Sequence, residues 1–349
     1  MDITALKEFD CHEEVLFVSD RDAGLHGYIA IHCSRGNSVP SLGATRLWSY
    51  ETPLEALRDA LRLARLMSHK SALAGLPYGG AKAALLAPRR AGFSRSKLFR
   101  AYANRVNTLS GHFITGTDVG VTDGDVKFMK RFTPYVIGRN VDPAFFTAQG
   151  VLSGIRTALK KVYGSDDVSE RSFAIQGVGK TGRNLLRLLA KNGARKIFIA
   201  DIDKQKAKKV RAEFPRITIV SPGEIHRQNV DVFSPAALSG VLNLRTVPQI
   251  RAKIVAGSAN NQLSGPGVGN LLARHEILYA PDYVINAGGL ISVADEFANP
   301  RVCKERIVDR IGMISKNLGT IFDRAIRKRE STQAVADEMA EQILHRDRQ

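Results

Sequence analysis

Two short apolar runs of β type, at 15–18 and 27–32, flank Asp20-Arg21-Asp22-Ala23-Gly24 and predict an antiparallel hairpin. The period then lengthens. Thr52-Pro53-Leu54-Glu55 has the form of a capping box with proline at the first helical position, and Leu54, Leu57, Leu61 and Ala64 mark one face of the helix that follows. A strand is expected at 83–86, a helix over 94–109 closing near Gly111, and an apolar strand at 113–114 that leads into Thr115-Gly116-Thr117-Asp118-Val119-Gly120. Near 142–150 the pattern changes. A helix from about 148 to 163 opens a series of buried-type strands at 172–176, 197–200, 217–220, 230–233, 253–256 and 278–280, separated by helical or turn-rich sequence. This βαβ alternation predicts an α/β fold with a parallel sheet. From Val302 the chain reads as helical to near its end.

A chain of 349 residues exceeds what one core usually serves, so two domains are expected. With 44% apolar and 24% charged residues and no run of ~18 apolar residues, it reads as a globular protein without a membrane span. The acidic N-terminal stretch lacks an apolar h-region, so the expected location is the cytoplasm. Cys11, Cys33 and Cys303 are scattered and odd in number, which suggests neither disulfides nor a zinc site, and no metal is expected. The net charge of +17 concentrates between Arg171 and Arg216. There the cations recur around helical segments without interleaved aromatics, the pattern of a solvated helix face rather than a nucleic-acid platform.

Candidate chemistry begins between Met67 and Lys82, where Lys70 and Lys82 stand among small apolar residues. Two readings are open: lysines that snorkel from a turn, or ammonium groups held in a partly dry pocket to which Gly79 and Gly80 admit a ligand. Asp118, flanked by glycines at a strand end, is a candidate partner of Lys82 in proton transfer. His69 reads as a packing or surface residue. The motif Gly177-Val178-Gly179-Lys180-Thr181-Gly182 follows a strand and opens a helix, and Asp201 closes the next strand, which is the full dinucleotide fingerprint. Gly177 permits the tight turn, Gly179 admits a pyrophosphate and Gly182 permits close helix packing. Asp201 favours NAD over NADP.

Gly257-Ser258-Ala259-Asn260-Asn261-Gln262-Leu263 and Tyr279-Ala280-Pro281-Asp282-Tyr283-Val284-Ile285-Asn286-Ala287-Gly288-Gly289, taken with these motifs in their order, resemble the amino acid dehydrogenases of the glutamate, leucine, phenylalanine and valine group, the leucine branch above all. The resemblance runs from about 15 to about 296. It implies reversible NAD-dependent oxidative deamination of an L-amino acid, with two domains around a closing cleft. A substrate-binding and oligomerisation domain would span 1–145, completed by 325–349, and a Rossmann domain would span 146–324. A homo-oligomer, dimer or octamer, is implied. Lys70 would grip the substrate carboxylate, Lys82 would activate water with a pKa lowered by burial, and Asp118 would shuttle protons. Thr147, Ala259, Asn260 and Asn286 would serve the cofactor, and Asn261 the substrate.

Leu42, Gly43, Ala44, Leu76, Leu290, Ile291 and Ala294 are the expected pocket lining, and no basic residue among them would pair with a substrate γ-carboxylate. Branched aliphatic substrates are therefore expected first and aromatic ones second. Gly43-Ala44-Thr45-Arg46-Leu47-Trp48 resembles the form found in tryptophan dehydrogenases. Ala44 and Ala81 stand where the family usually has glycine, Gly116-Thr117 departs from the family pattern, and the loop before Thr147 is short, so each could reshape the pocket. The rival reading is a non-catalytic nucleotide-binding homologue that docks through its basic surface.

Overall fold

A computed structural model describes residues 2–35, 40–88, 93–138, 141–237, 239–299 and 301–348. The chain forms two compact units, one of Met1–Val141, Val293–Val302 and Ala340–Gln349, the other of Asp142–Ser292 and Cys303–Met339. The division falls at 141/142 rather than the expected 145/146. Residues 325–339, expected with the first domain, belong to the second unit.

In the first unit β1 (Glu14–Asp20) and β2 (Leu25–Cys33) form the antiparallel hairpin. Then come β3 (Ser41–Leu42), β4 (Thr45–Trp48), α1 (Pro53–Leu73), β5 (Gly79–Leu86), α2 (Arg95–Thr108), β6 (Phe113–Ile114) and α3 (Asp123–Met129). The sheet order is β1-β2-β5-β3-β6, and β4 also pairs with β5. β3 and β4 both run parallel to β5, interrupted at Gly43-Ala44, where Gly43 N–H donates to the Ile114 carbonyl (2.9 Å) and Ala83 N–H to that of Ala44 (3.0 Å).

Thr52 caps α1 by accepting from the Glu55 amide (3.2 Å), while the Glu55 carboxylate takes the Glu51 amide (3.0 Å) instead of closing the box on Thr52. Ala56, Ala60 and Ala64 are wholly buried beside Leu57 and Leu61, and their small side chains let α1 lie close to the sheet. The glycines before Lys82 belong to this packing. A Cβ at Gly79 would stand 1.8 Å from the Cys33 carbonyl oxygen, and one at Gly80 would stand 2.1 Å from the Ser68 nitrogen on α1. Close approach of backbone to backbone, not of a ligand, is what these two glycines permit. Gly80→Ala should therefore destabilise the unit by roughly 2 kcal/mol, the cost of overpacking, and lower the melting temperature by several degrees in a thermal scan. An unchanged melting temperature would contradict that packing.

β5 is covered on both faces, so its sequence shows no polar alternation. Ala81, Ala83 and Leu85 join the core with Leu98, Phe99, Tyr102 and Val106 of α2, while Ala84 and Leu86 join the core with α1. Lys82 alternates with the first set and thus faces α1.

The second unit contains α4 (Pro143–Tyr163), β7 (Ser172–Gln176), α5 (Lys180–Lys191), β8 (Lys196–Ala200), α6 (Lys204–Glu213), β9 (Thr218–Ile219), β10 (Val232–Pro235), β11 (Ile254–Val255), α7 (Val268–Arg274), β12 (Leu278–Tyr279) and α8 (Asp282–Ile285). Then follow α9 (Gly288–Ala298), which begins here, α10 (Lys304–Lys328) and α11 (Thr332–Arg348). The sheet is parallel in the order β12-β11-β10-β7-β8-β9, the doubly wound arrangement that places a ligand site at the carboxyl ends of its central strands. α4 begins at Pro143, not near 148, because Asp142 caps it by accepting from the Ala144 amide (3.0 Å). The terminal helical run breaks at Arg329, whose φ of 57° ends α10. Among the described residues no helix is long and apolar enough to cross a membrane, and no three His, Cys, Asp or Glu side chains converge as metal ligands would.

Candidate active site

Lys82 is 6% exposed in β5, and its Nζ lies 2.6 Å from Asp118 Oδ2. Asp118 is carried by the loop after β6. That loop is stitched to β4 by donation from Thr45 N–H to the Gly116 carbonyl (3.0 Å) and from Leu47 N–H to the Val119 carbonyl (2.9 Å). Gly120 completes the turn with a φ of 80°, at a point where a Cβ would meet the Leu47 carbonyl oxygen at 1.9 Å. The glycine flank noticed in the sequence thus fixes the loop that presents the acid.

Arg46 is a second cation at Asp118, its Nε 3.1 Å from the same Oδ2. Burial raises the Asp118 pKa, but Lys82 and then Arg46 lower it by more, and it settles at about 2. Its folded value lies below its unfolded one. The stabilisation it contributes is therefore complete above about pH 4 and is lost as pH falls toward 2.

Lys70 sits half-buried in the last turn of α1, an element that packs on β5. His69 is 3% exposed, in keeping with a packing role. Leu42 is wholly buried in β3, where it pairs with Gly80 and Ile114. A Cβ at Gly43 would meet the Ala81 carbonyl oxygen at 2.1 Å, so this glycine too permits strand contact. Ala44 is half-buried and Ala81 wholly buried. Buried Leu76 follows α1 and accepts at its carbonyl from Arg35. Leu290 and Ile291 are buried at the start of α9, in the second unit, and Ala294 is buried further along the same helix. The short loop before Thr147 includes Arg139 and Asn140, which lie outside the described residues.

In the second unit the glycine loop turns at Gly177, whose φ is 96° and whose amide donates to the Ala200 carbonyl (2.7 Å). A Cβ at Gly182 would stand 2.0 Å from the Gly177 carbonyl oxygen, whereas among the described residues nothing lies within 4 Å of one at Gly179. Gly182 therefore serves packing, and Gly179 leaves the N-terminus of α5 open to an anionic group. The first-turn amides of Lys180, Thr181 and Gly182 precede the first intrahelical partner and are suited to a pyrophosphate. Asp201 accepts from the Val178 amide at Oδ2 (2.9 Å) and from the Asp203 amide at Oδ1 (3.0 Å), so it braces the loop while each oxygen keeps a second lone pair for a ribose hydroxyl.

Asn286 donates from Nδ2 to Asn260 Oδ1 (2.8 Å) and to the Ser258 carbonyl (3.2 Å), while its own buried Oδ1 has no hydrogen-bond partner among the described residues. Such an orphaned acceptor at the carboxyl end of a doubly wound sheet fits a polar ligand group. Asn261 takes a positive φ of 52°, and its carbonyl accepts from Gly240 N–H (2.8 Å). Ala259 donates from its amide to the Pro235 carbonyl (3.0 Å). Thr147 donates from Oγ1 to the Pro143 carbonyl (2.7 Å) and faces Gly289, where a Cβ would approach that hydroxyl to 2.6 Å. These residues fit a dinucleotide.

Two supporting carboxylates receive no role from the sequence motifs, although Asp282 stands within one. Asp282 accepts the Gln262 amide (2.7 Å) and so pins the segment that carries Asn260 and Asn261. Asp59, on α1, accepts from Arg46 Nη1 (2.9 Å), Tyr50 Oη (2.7 Å) and Arg62 Nη2 (2.7 Å). Its only signal in the sequence is an acid at the edge of the buried stripe of α1.

Residues 12–135 match the Glu/Leu/Phe/Val dehydrogenase dimerisation domain, and residues 199–342 match the Glutamate/Leucine/Phenylalanine/Valine dehydrogenase domain. The leucine dehydrogenase of Geobacillus stearothermophilus is 40% identical over 339 residues, which are 95% of this chain and 90% of that one. The phenylalanine dehydrogenase of Bacillus thermotolerans is 38% identical over 353 residues, covering 98% and 91%. The crystal structure of L-tryptophan dehydrogenase from Nostoc punctiforme superposes with a TM-score of 0.83 at 39% identity, covering 97% of each chain. The two-part sequence match, the near-complete alignments and the shared fold lead to one conclusion: this chain belongs to the Glu/Leu/Phe/Val dehydrogenase family and is an amino acid dehydrogenase.

Proposed function

We propose that the chain converts an apolar L-amino acid of the leucine or valine type to its 2-oxo acid and ammonia, reversibly, with NAD. The observation that carries this reading is the buried contact of 2.6 Å between Lys82 and Asp118, an acid–base pair in a setting that excludes most water. The first-turn amides of α5 and Asp201 would hold NAD along the glycine loop, and NAD would supply the hydride acceptor. Lys70 binds the substrate carboxylate. Asp118 takes a proton from the substrate ammonium, which frees the nitrogen lone pair to support hydride loss from Cα. Lys82, once its own proton is released, draws a proton from the water that adds to the resulting iminium carbon. Asp118 then returns a proton to the nitrogen of the carbinolamine, the C–N bond breaks as the hydroxyl proton passes back to the Asp118 carboxylate, and ammonia leaves as the 2-oxo acid forms. The match of residues 12–135 to a dimerisation domain supports a homo-oligomer.

Neither Leu42, Leu76 and Ala294 of the first unit nor Leu290 and Ile291 of the second offers a charge to a substrate γ-carboxylate. An aromatic substrate is the second reading, supported by Gly43-Ala44-Thr45-Arg46-Leu47-Trp48 and by the likeness to the tryptophan enzyme. NADH formation with leucine, valine, phenylalanine, tryptophan and glutamate, repeated with NADP, tests both. Leucine and valine should turn over fastest, glutamate should be poor, and NADP should be slower than NAD by about tenfold or more, since Asp201 repels its 2′-phosphate. Fastest turnover of tryptophan or phenylalanine would transfer the assignment to the aromatic reading, and fastest turnover of glutamate would overturn both.

A further inference from the structure

The sequence singles out Lys82 and Asp118, yet the structure ties that pair to a third and a fourth charge. Arg46 lies on β4 opposite Ala84 of β5, two residues beyond Lys82 on the same face. Its guanidinium bridges two carboxylates, with Nε 3.1 Å from Asp118 Oδ2 and Nη1 2.9 Å from Asp59 Oδ2. Arg46, Asp59 and Asp118 keep only 17%, 14% and 15% of their side-chain surface exposed. We infer that Arg46 is a positioning residue for the proton-transfer pair, anchored through Asp59 to α1, and that its fixed charge keeps Asp118 an ionised acceptor when Lys82 has given up its proton. The inference rests on the proposed function.

A planar guanidinium with several donors fixes direction as well as charge, and a lysine there would supply only a point charge. Asp59 in turn is fixed by Tyr50 and Arg62, so Arg46 has a rigid support on its far side. Both Lys82 Nζ and Arg46 Nε meet Oδ2 of Asp118. During turnover Lys82 must pass through its neutral form. Asp118 would then be a buried carboxylate without a countercharge, were Arg46 not beside it, and burial would favour its protonation. Arginine does not deprotonate in the working range, so it preserves the acceptor throughout the cycle.

The charged and titratable groups that face this cluster are Lys82 from β5, Arg46 from β4, Asp59 and Arg62 from α1, and Tyr50 from the segment between β4 and α1. Removing the Arg46 charge leaves the Lys82 and Asp118 pair to hold its protons more tightly, so the pair reaches its working form only at higher pH.

The test compares Arg46→Met, Arg46→Lys and Asp59→Asn with the wild type in kcat and kcat/KM across pH, on the best amino acid of the panel. Arg46→Met should lower kcat about 10²-fold, as misplacement of a reacting group does, and should move the acid limb of kcat/KM upward by roughly one pH unit. Arg46→Lys should restore the limb but only part of kcat. Asp59→Asn should lower kcat and leave the limb in place, because the guanidinium charge remains while its anchor is gone. Melting curves and far-UV spectra report on folding, and Arg46→Lys keeps the cluster charge-balanced should Arg46→Met be unstable. Equal losses in Arg46→Met and Arg46→Lys with no shift of the limb would reduce Arg46 to a structural role and overturn the inference, as would an active, unshifted Arg46→Met. A wild type that oxidises no amino acid would sink the functional reading together with this inference. An active wild type indifferent to Arg46 sinks the inference alone.

Discussion

Lys82→Ala is expected to lower kcat/KM for amino acid oxidation by roughly 10³- to 10⁴-fold while the protein remains folded and still binds NAD. Lys82 is 6% exposed on a strand whose other residues are Gly, Ala and Leu, so no neighbour on β5 can take over its proton transfer. The truncation leaves little strain behind. Its partner Asp118 retains Arg46 at 3.1 Å, so no buried carboxylate is left without a countercharge. A Lys82→Ala protein that keeps more than about a tenth of wild-type kcat, measured by NADH formation at saturating substrate, would remove Lys82 from the chemistry.

Asp118→Asn should cost about 10²- to 10⁴-fold in kcat, because an amide occupies the same space and accepts hydrogen bonds but cannot take up a proton. The substitution also alters stability in a direction that pH reveals. The wild-type carboxyl, held at about 2, stabilises the folded state above about pH 4 and loses that effect as pH falls toward 2. The amide does not titrate. Its melting temperature should therefore lie below that of the wild type near neutrality, where Lys82 and Arg46 have lost the Asp118 charge and Arg46 keeps Asp59, and the gap should narrow as pH falls from about 4. A gap of constant size across that range would show that the ion pair contributes nothing to stability beyond its shape.

Local signals were legible where chemistry and backbone geometry coincide. Thr52 and Pro53 announce α1, and Gly177, Gly179, Gly182 and Asp201 mark a turn whose shape depends on contacts within about twenty-five residues. The start of α4 was legible in Asp142-Pro143 yet lay ahead of the apolar periodicity, so the cap and not the pattern marks it. Tertiary contacts were the hidden part. Gly79 and Gly80 read as room for a ligand because nothing in the sequence says that the Cys33 carbonyl and the Ser68 amide fill that space. The bridge from Asp118 through Arg46 to Asp59 joins the loop after β6, β4 and α1, and no local rule relates an acid on a helix edge to a strand arginine and a distant loop. Asp282 is hidden for the same reason, since its partner Gln262 lies on another loop.

The most direct measurement of the central claim follows a label. The panel substrate with the highest kcat/KM is prepared with deuterium at Cα and incubated with NAD, and the NADH formed is examined by mass spectrometry alongside the ammonia released. The expected result is one deuterium in each NADH, one ammonia for each NADH, and formation of both products slowed by roughly 10³-fold or more with Lys82→Ala. NADH without deuterium, or ammonia released without NADH, would contradict it.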